Sequence, residues 1–188
     1  MKELLKKNRS YRRFYQDSRI PAGELRDWVD NARYCPSGGN LQALRFRIVT
    51  EPEECEKVFA ALHWAAALPD WDGPAEGERP SAYILIVHDL RISRERKWDA
   101  GIAAQTIMLS AVERGYGGCI LGSVERKKLS AELGIDAQQY EIDLVLALGK
   151  PKEQVKIVSV GEDGSTTYYR DEAQVHYVPK RSLAEILL

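Results

Sequence analysis

Cys35-Pro36-Ser37-Gly38-Gly39-Asn40-Leu41-Gln42 decides how the chain around it is read. Upstream, Leu25, Trp28, Val29 and Ala32 recur at i, i+3, i+4 and i+7, the stripe of an amphipathic helix. Pro36 stops that helix, because its ring fixes φ and it has no N–H, and it pushes Cys35 toward extended geometry. Gly38 and Gly39 let the backbone take left-handed or close-approach conformations. Downstream, Leu44-Arg45-Phe46-Arg47-Ile48-Val49 alternates in part and is rich in β-formers, so it reads as a strand. The octapeptide is a helix-to-strand junction that gathers the short polar groups of Ser37, Asn40 and Gln42. At this level two readings stay open: a polar connector, or a loop that approaches a ligand.

Nearer the N-terminus, Arg9-Ser10-Tyr11-Arg12-Arg13 places three arginines in five residues. Guanidinium donates in a fixed fork to phosphate or carboxylate, so this is a candidate anion site, against a solvated basic turn. If the segment is extended, Ser10, Arg12 and Phe14 share one face. Residues 53–68 read as a helix with Cys55 as a small apolar group. Residues 69–80 carry turn chemistry, and Trp64 and Trp71 beside them either anchor this insertion loop or cover a flat ligand. Ala82-Tyr83-Ile84-Leu85-Ile86-Val87 is continuous apolar sequence, a central strand, with His88 at its end read as a satisfied polar group. Residues 99–114 form a helix apolar nearly all round, either the core helix or a subunit contact. Gly115-Tyr116-Gly117-Gly118-Cys119-Ile120-Leu121-Gly122-Ser123 ends it and is expected to leave backbone N–H groups accessible to a ligand. Residues 125–133 form a polar helix and 142–149 another strand. Beyond Pro151 come an extended stretch at 155–160, a hairpin built from 166–170 and 175–178, the basic pair Lys180-Arg181 and a short terminal helix at 183–188.

Composition narrows the classes. The 188 residues suffice for one domain, and the chain is read as a single domain over 1–188 with a C-terminal arm at 161–188. A formal net charge of −1 offers no basic field for nucleic acid. No apolar run reaches spanning length, so no membrane partner is expected. Charges flank Leu4 and Leu5 near the start, which predicts no secretory leader and a cytoplasmic protein. Three cysteines without a CxxC pair, and three scattered histidines, predict neither a disulfide framework nor a metal site. There is no GxGxxG after a first strand, no GxxxxGK[ST] and no GxSxG, which lowers dinucleotide-fold, P-loop and serine-hydrolase readings.

In order and spacing, four stretches together resemble the flavin-dependent nitroreductase family: Arg9 to Phe14, Ala32-Arg33 through Gln42, Gly115 to Gly122, and Leu148-Gly149-Lys150-Pro151. The resemblance implies an α+β fold with a mainly antiparallel central sheet flanked by helices. It implies a homodimer with exchanged C-terminal arms and FMN bound between the subunits. Carried over by position, Arg9, Ser10 and Arg12 contact the flavin and its phosphate from one subunit, with Arg12 near N1 and the C2 carbonyl. Pro36, Ser37, Gly38 and Asn40 come from the other. Leu121, Gly122 and Ser123 pass the flavin edge near N5, and Lys180 and Arg181 close on the phosphate. The implied reaction is ping-pong hydride transfer from NADPH or NADH through flavin N5 to a flat small-molecule acceptor such as a nitroaromatic or quinone, with no protein acid or base. The alternatives are flavin storage or sensing without turnover, and a flavin-consuming or dehalogenating specialisation. Two departures stand out: Asn8 where the family usually has arginine, and Ala43-Leu44 where many members have Pro-Trp.

Overall fold

The computed structural model describes residues 1–95 and 98–188. Its centre is the apolar run, now strand β3 (Ala82–Asp89), buried at every position. Alternation sends Tyr83, Leu85 and Val87 into one apolar layer and Ala82, Ile84 and Ile86 into another. A continuous apolar run is therefore a strand covered on both faces. Each such Leu, Ile or Val stabilises the fold by about 1.5–3 kcal/mol relative to exposure.

β3 pairs antiparallel with β2 (Leu44–Val49) on one side and with the long β5 (Tyr140–Pro151) on the other. The far edge of β5 is shared, with β4 (Gly117–Leu121) pairing along it and the two-residue β1 (Phe14–Tyr15) pairing at its end. Helices α2 (Ala22–Arg33) and α4 (Asp99–Glu113) cover one face, and α3 (Pro52–Phe59) and α5 (Arg126–Glu132) pack on the other. Helix α1 (Lys2–Lys7) lies against α4. This is the expected α+β arrangement with an antiparallel central sheet. No helix among the described residues is long and apolar enough to cross a membrane.

Beyond β5 a second, small sheet forms. β6 (Val155–Ser159) pairs parallel with β8 (His176–Lys180), and β8 pairs antiparallel with β7 (Tyr169–Arg170), giving the expected hairpin. The arm strand β8 thus joins β6 of its own chain. The last helix, α6 (Leu183–Ile186), is closed by a capping box between Ser182 and Glu185 and leaves Leu183, Ile186, Leu187 and Leu188 exposed.

Two sequence expectations need correction. The helix expected over 53–68 ends at Phe59. After it the backbone turns to meet the segment beyond β4: Leu62 bridges Val124, His63 N–H donates to the Ser123 carbonyl, and Glu125 N–H donates to Ala61. These long-range bonds outweigh the helical propensity of the alanines. The glycine turn is largely strand β4. A Cβ on Gly117 would stand 2.6 Å from the Tyr11 ring, and one on Gly118 would overlap the Ala147 carbonyl. These glycines permit close backbone approach rather than exposing N–H groups; only Gly115, at φ 80°, serves the helix end.

Candidate flavin site

The segment before β1 runs along the outer edge of β4. Ser10 bridges Gly118, and Tyr11 N–H donates to the Gly118 carbonyl at 2.9 Å. Since Gly118 turns its carbonyl outward, the alternate residues Ile120 and Gly122 present backbone groups to the same edge. Among the described residues no strand covers that edge beyond the Ser10 bridge. The Gly122 carbonyl accepts from Arg126, while Ile120 stays 39% exposed. Leu121 is buried in the core, and Ser123 is exposed with its carbonyl taken by His63.

Arg9 and Arg12 flank this edge with unused donors. Arg9 donates through Nη2 to the Leu5 carbonyl at 2.9 Å, but its buried Nε has no partner among the described residues. Arg12 is buried. Its Nη1 makes one long bond, 3.3 Å, to the Ser10 carbonyl, and its Nε has no partner among the described residues. The guanidinium carbon lies 5.0 Å from the centre of the Tyr168 ring. A buried guanidinium without a carboxylate on its donors is costly unless something else meets them.

Behind Arg12 is a buried ionic cluster. Glu153 Oε2 accepts the Arg12 backbone N–H at 2.7 Å, and Oε1 accepts Arg170 Nη2 at 2.7 Å. His176 Nδ1 is 3.5 Å from the same oxygen. The Arg170 guanidinium lies 4.2 Å above the Trp71 ring, so Trp71 anchors the arm. Burial lowers the His176 pKa, with Arg12, Arg170 and Arg13 pushing the same way and Glu153 opposing them. Burial also raises the Cys119 thiol on β4.

The 36–40 loop sits on another element. Gly38 N–H donates to the Asp99 carboxylate at the start of α4, at 3.0 Å to Oδ1, and Cys35 Sγ is 3.0 Å from Thr106 Oγ1. Ser37 Oγ accepts the Gln42 N–H at 3.2 Å. Gly39, Asn40 and Gln42 all have φ between 52° and 56°. Glutamine seldom adopts that conformation, and such strain gathers where surrounding structure enforces a shape. Pro36 and Ser37 line a cavity of about 420 Å³ whose apolar wall includes Val29, Leu44 and Phe46.

Within one chain, then, Arg9, Ser10 and Arg12 come together with β4, whereas Pro36, Ser37, Gly38 and Asn40 are held at α4. Lys180 and Arg181 are not brought to the Arg12 cluster. Lys180 stands four residues along β8 from His176, roughly 13 Å at strand rise, and Arg181 pairs with Glu185 at 3.6 Å. His88, as read, is buried and satisfied: Nε2 is 2.8 Å from the Ser93 carbonyl and Nδ1 3.6 Å from Asp143. Sequence reasoning missed Glu153, Tyr168 and Arg170, whose link to Arg12 exists only through folding.

Comparison with known proteins fits this geometry. Residues 5–150 match the model of the nitroreductase family. YdgI from Bacillus subtilis (strain 168), provisionally named an NAD(P)H nitroreductase, is 23% identical over 185 residues, covering 81% of this chain and 88% of its own. An FMN-dependent nitroreductase from Clostridium difficile R20291 superposes with a TM-score of 0.66 at 24% identity, over 82% of this chain and 89% of its own. A provisionally named nitroreductase from Desulfovibrio desulfuricans, solved in complex with FMN, gives a TM-score of 0.71 at 22% identity over 99% and 94%. With the family model spanning most of its length, the chain belongs to the nitroreductase family.

Proposed function

We propose that the protein is an FMN-dependent oxidoreductase, reduced by NADPH or NADH and oxidised by a flat small-molecule acceptor such as a nitroaromatic or a quinone. The observation that carries this reading is the buried Arg12 guanidinium, which among the described residues meets only the Ser10 carbonyl and the Tyr168 ring, beside the open edge of β4. The residues present fit FMN: a flat, anionic molecule needs cationic donors, a backbone edge and an apolar surface, and Arg9, Arg12, the edge at Ile120 and Gly122, and the Ile120 side chain supply them.

Bound FMN would supply two-electron transfer, which the chain's own side chains lack. Arg12 would hold the pyrimidine side of the ring and would balance the negative charge that reduction leaves there; charge at that edge is how a protein tunes this cofactor. In a partly dry cleft that attraction exceeds its value in water. Arg9 and Ser10 would face the phosphate. The backbone of residues 121–123 would pass the ring edge.

The reading includes a homodimer. Pro36, Ser37, Gly38 and Asn40 are tethered to α4, away from Arg12 in their own chain, which supports their service to a neighbouring copy's flavin. The half-exposed flank of α4, with Ile102, Leu109 and Val112, suits that contact. Arm exchange, in this reading, is confined to the exposed apolar end 183–188, because β8 is already paired with β6. A cytoplasmic location accords with the need for reduced nicotinamide. The test is anaerobic addition of NADPH or NADH to the FMN-loaded protein. Loss of the visible flavin band, restored by a quinone, is the expected result; a band that persists would reduce the protein to a flavin binder.

A further inference from the structure

We propose that Glu153 is a positioning residue for the flavin site: it fixes the Arg12 backbone while Arg170 neutralises it, so that the Arg12 guanidinium keeps an uncompensated positive charge. The inference rests on the FMN reading above and names a residue outside the expected flavin contacts.

The geometry is specific. The Glu153 side chain is wholly buried. One oxygen accepts the Arg12 main-chain N–H at 2.7 Å, while the other accepts Arg170 Nη2 at the same distance. The carboxylate therefore ties the N-terminal segment to the arm without touching the Arg12 side chain. A buried carboxylate needs a partner, and Arg170 is that partner. Arg170 is itself held over Trp71, so it stays in place. The Arg12 guanidinium rests against an aromatic face, Tyr168, rather than against an acid. An aromatic ring supports a guanidinium without cancelling its charge. With Arg13 facing its own acid, Glu78, at 3.9 Å, the cluster contains two guanidinium groups, Arg12 and Arg170, and one carboxylate, and burial disfavours protonation of His176. One positive charge is left over, and it sits on the side chain that faces the β4 edge.

This arrangement makes predictions of opposite sign. Glu153→Gln keeps an acceptor of similar size but removes the negative charge, so the site becomes more positive and the reduced, anionic flavin binds relatively better. Arg170→Met keeps much of the apolar stem but leaves the Glu153 charge to face Arg12, so the reduced flavin binds relatively worse. Each variant should change the ratio of oxidised to reduced FMN dissociation constants by about tenfold, which for a two-electron couple is about 30 mV in midpoint potential. A group with only a structural role would weaken both redox forms together and leave that ratio alone.

The experiment is a potentiometric titration of the FMN-loaded wild type, Glu153→Gln, Arg170→Met and Arg170→Lys, with FMN affinities from fluorescence quenching and melting of each apo-protein. The expected order is Glu153→Gln above wild type, Arg170→Lys close to wild type, and Arg170→Met below. Unchanged potentials in folded, FMN-binding variants, or shifts of the same sign, would overturn the positioning role while leaving the FMN reading intact. A wild type that binds no FMN would remove the FMN reading itself. If Glu153→Gln does not fold, the Arg170→Met and Arg170→Lys pair still decides the matter.

Discussion

Replacing Arg12 by alanine should separate flavin binding from folding. The side chain makes one 3.3 Å hydrogen bond to the Ser10 carbonyl and one contact with the Tyr168 ring at 5.0 Å. A bond of that length and a ring contact together stabilise by about 1 kcal/mol. The backbone N–H that binds Glu153 survives the substitution, so the link between the N-terminal segment and the arm is kept. The loss on the flavin side is larger. Hydrogen bonds to a charged group contribute about 1.5–3 kcal/mol, so the FMN dissociation constant should rise about 10- to 150-fold. The flavin midpoint potential should fall, since the reduced form loses more than the oxidised one. Arg12→Lys keeps the charge but not the planar fork, and should lie between the two. Quenching of FMN fluorescence at fixed ionic strength measures the affinity, and equilibration with a reference dye measures the potential. A folded Arg12→Ala protein with wild-type affinity and potential would take Arg12 out of the site.

Three further outcomes follow from the geometry. Gly118→Ala should lower stability by about 1–3 kcal/mol, the usual cost of overpacking, because its Cβ meets the Ala147 backbone; Gly122→Ala, whose nearest atom is 3.8 Å away, should be far milder. Denaturant midpoints compare the two, and equal losses would contradict the close approach of β4 to β5. Because the folded-state pKa of His176 is lowered below its unfolded value of about 6.5, its neutral form favours folding. Its contribution is present above that value and is lost as pH falls through the folded pKa, so unfolding free energy should drop in that window and His176→Gln should flatten the drop. Burial raises Cys55 to about 11, so at pH 8 it should resist alkylation until the chain unfolds; rapid labelling in the native state would show the α3 packing to be wrong.

The sequence made some of this legible, and the reasons are local. β3 was readable because eight consecutive positions are buried, so its pattern needs no partner to interpret. The stripe Leu25, Trp28 and Ala32 of α2 was readable for the same reason: one face of a helix repeats its chemistry. The end of α3 was not readable, because the bonds that stop it come from Ser123, Val124 and Glu125, more than sixty residues away. The role of Gly117 and Gly118 was misread, since free N–H groups and close packing demand the same residue. At the site, the arginine segment and the 36–42 loop stood out through unusual local composition. Glu153, Arg170 and His176 did not: each is unremarkable in its own stretch and becomes a cluster only when β8 folds beside β6.

In the homodimer reading, each chain contributes to an FMN site completed by a second copy. An equilibrium titration of the FMN-free protein with FMN, followed by sedimentation of the loaded protein, measures it. The expected result is saturation at one FMN per chain in a dimer, with a yellow, fluorescence-quenched flavin. A protein that stays colourless with excess FMN, or a monomer that binds FMN fully, would contradict it.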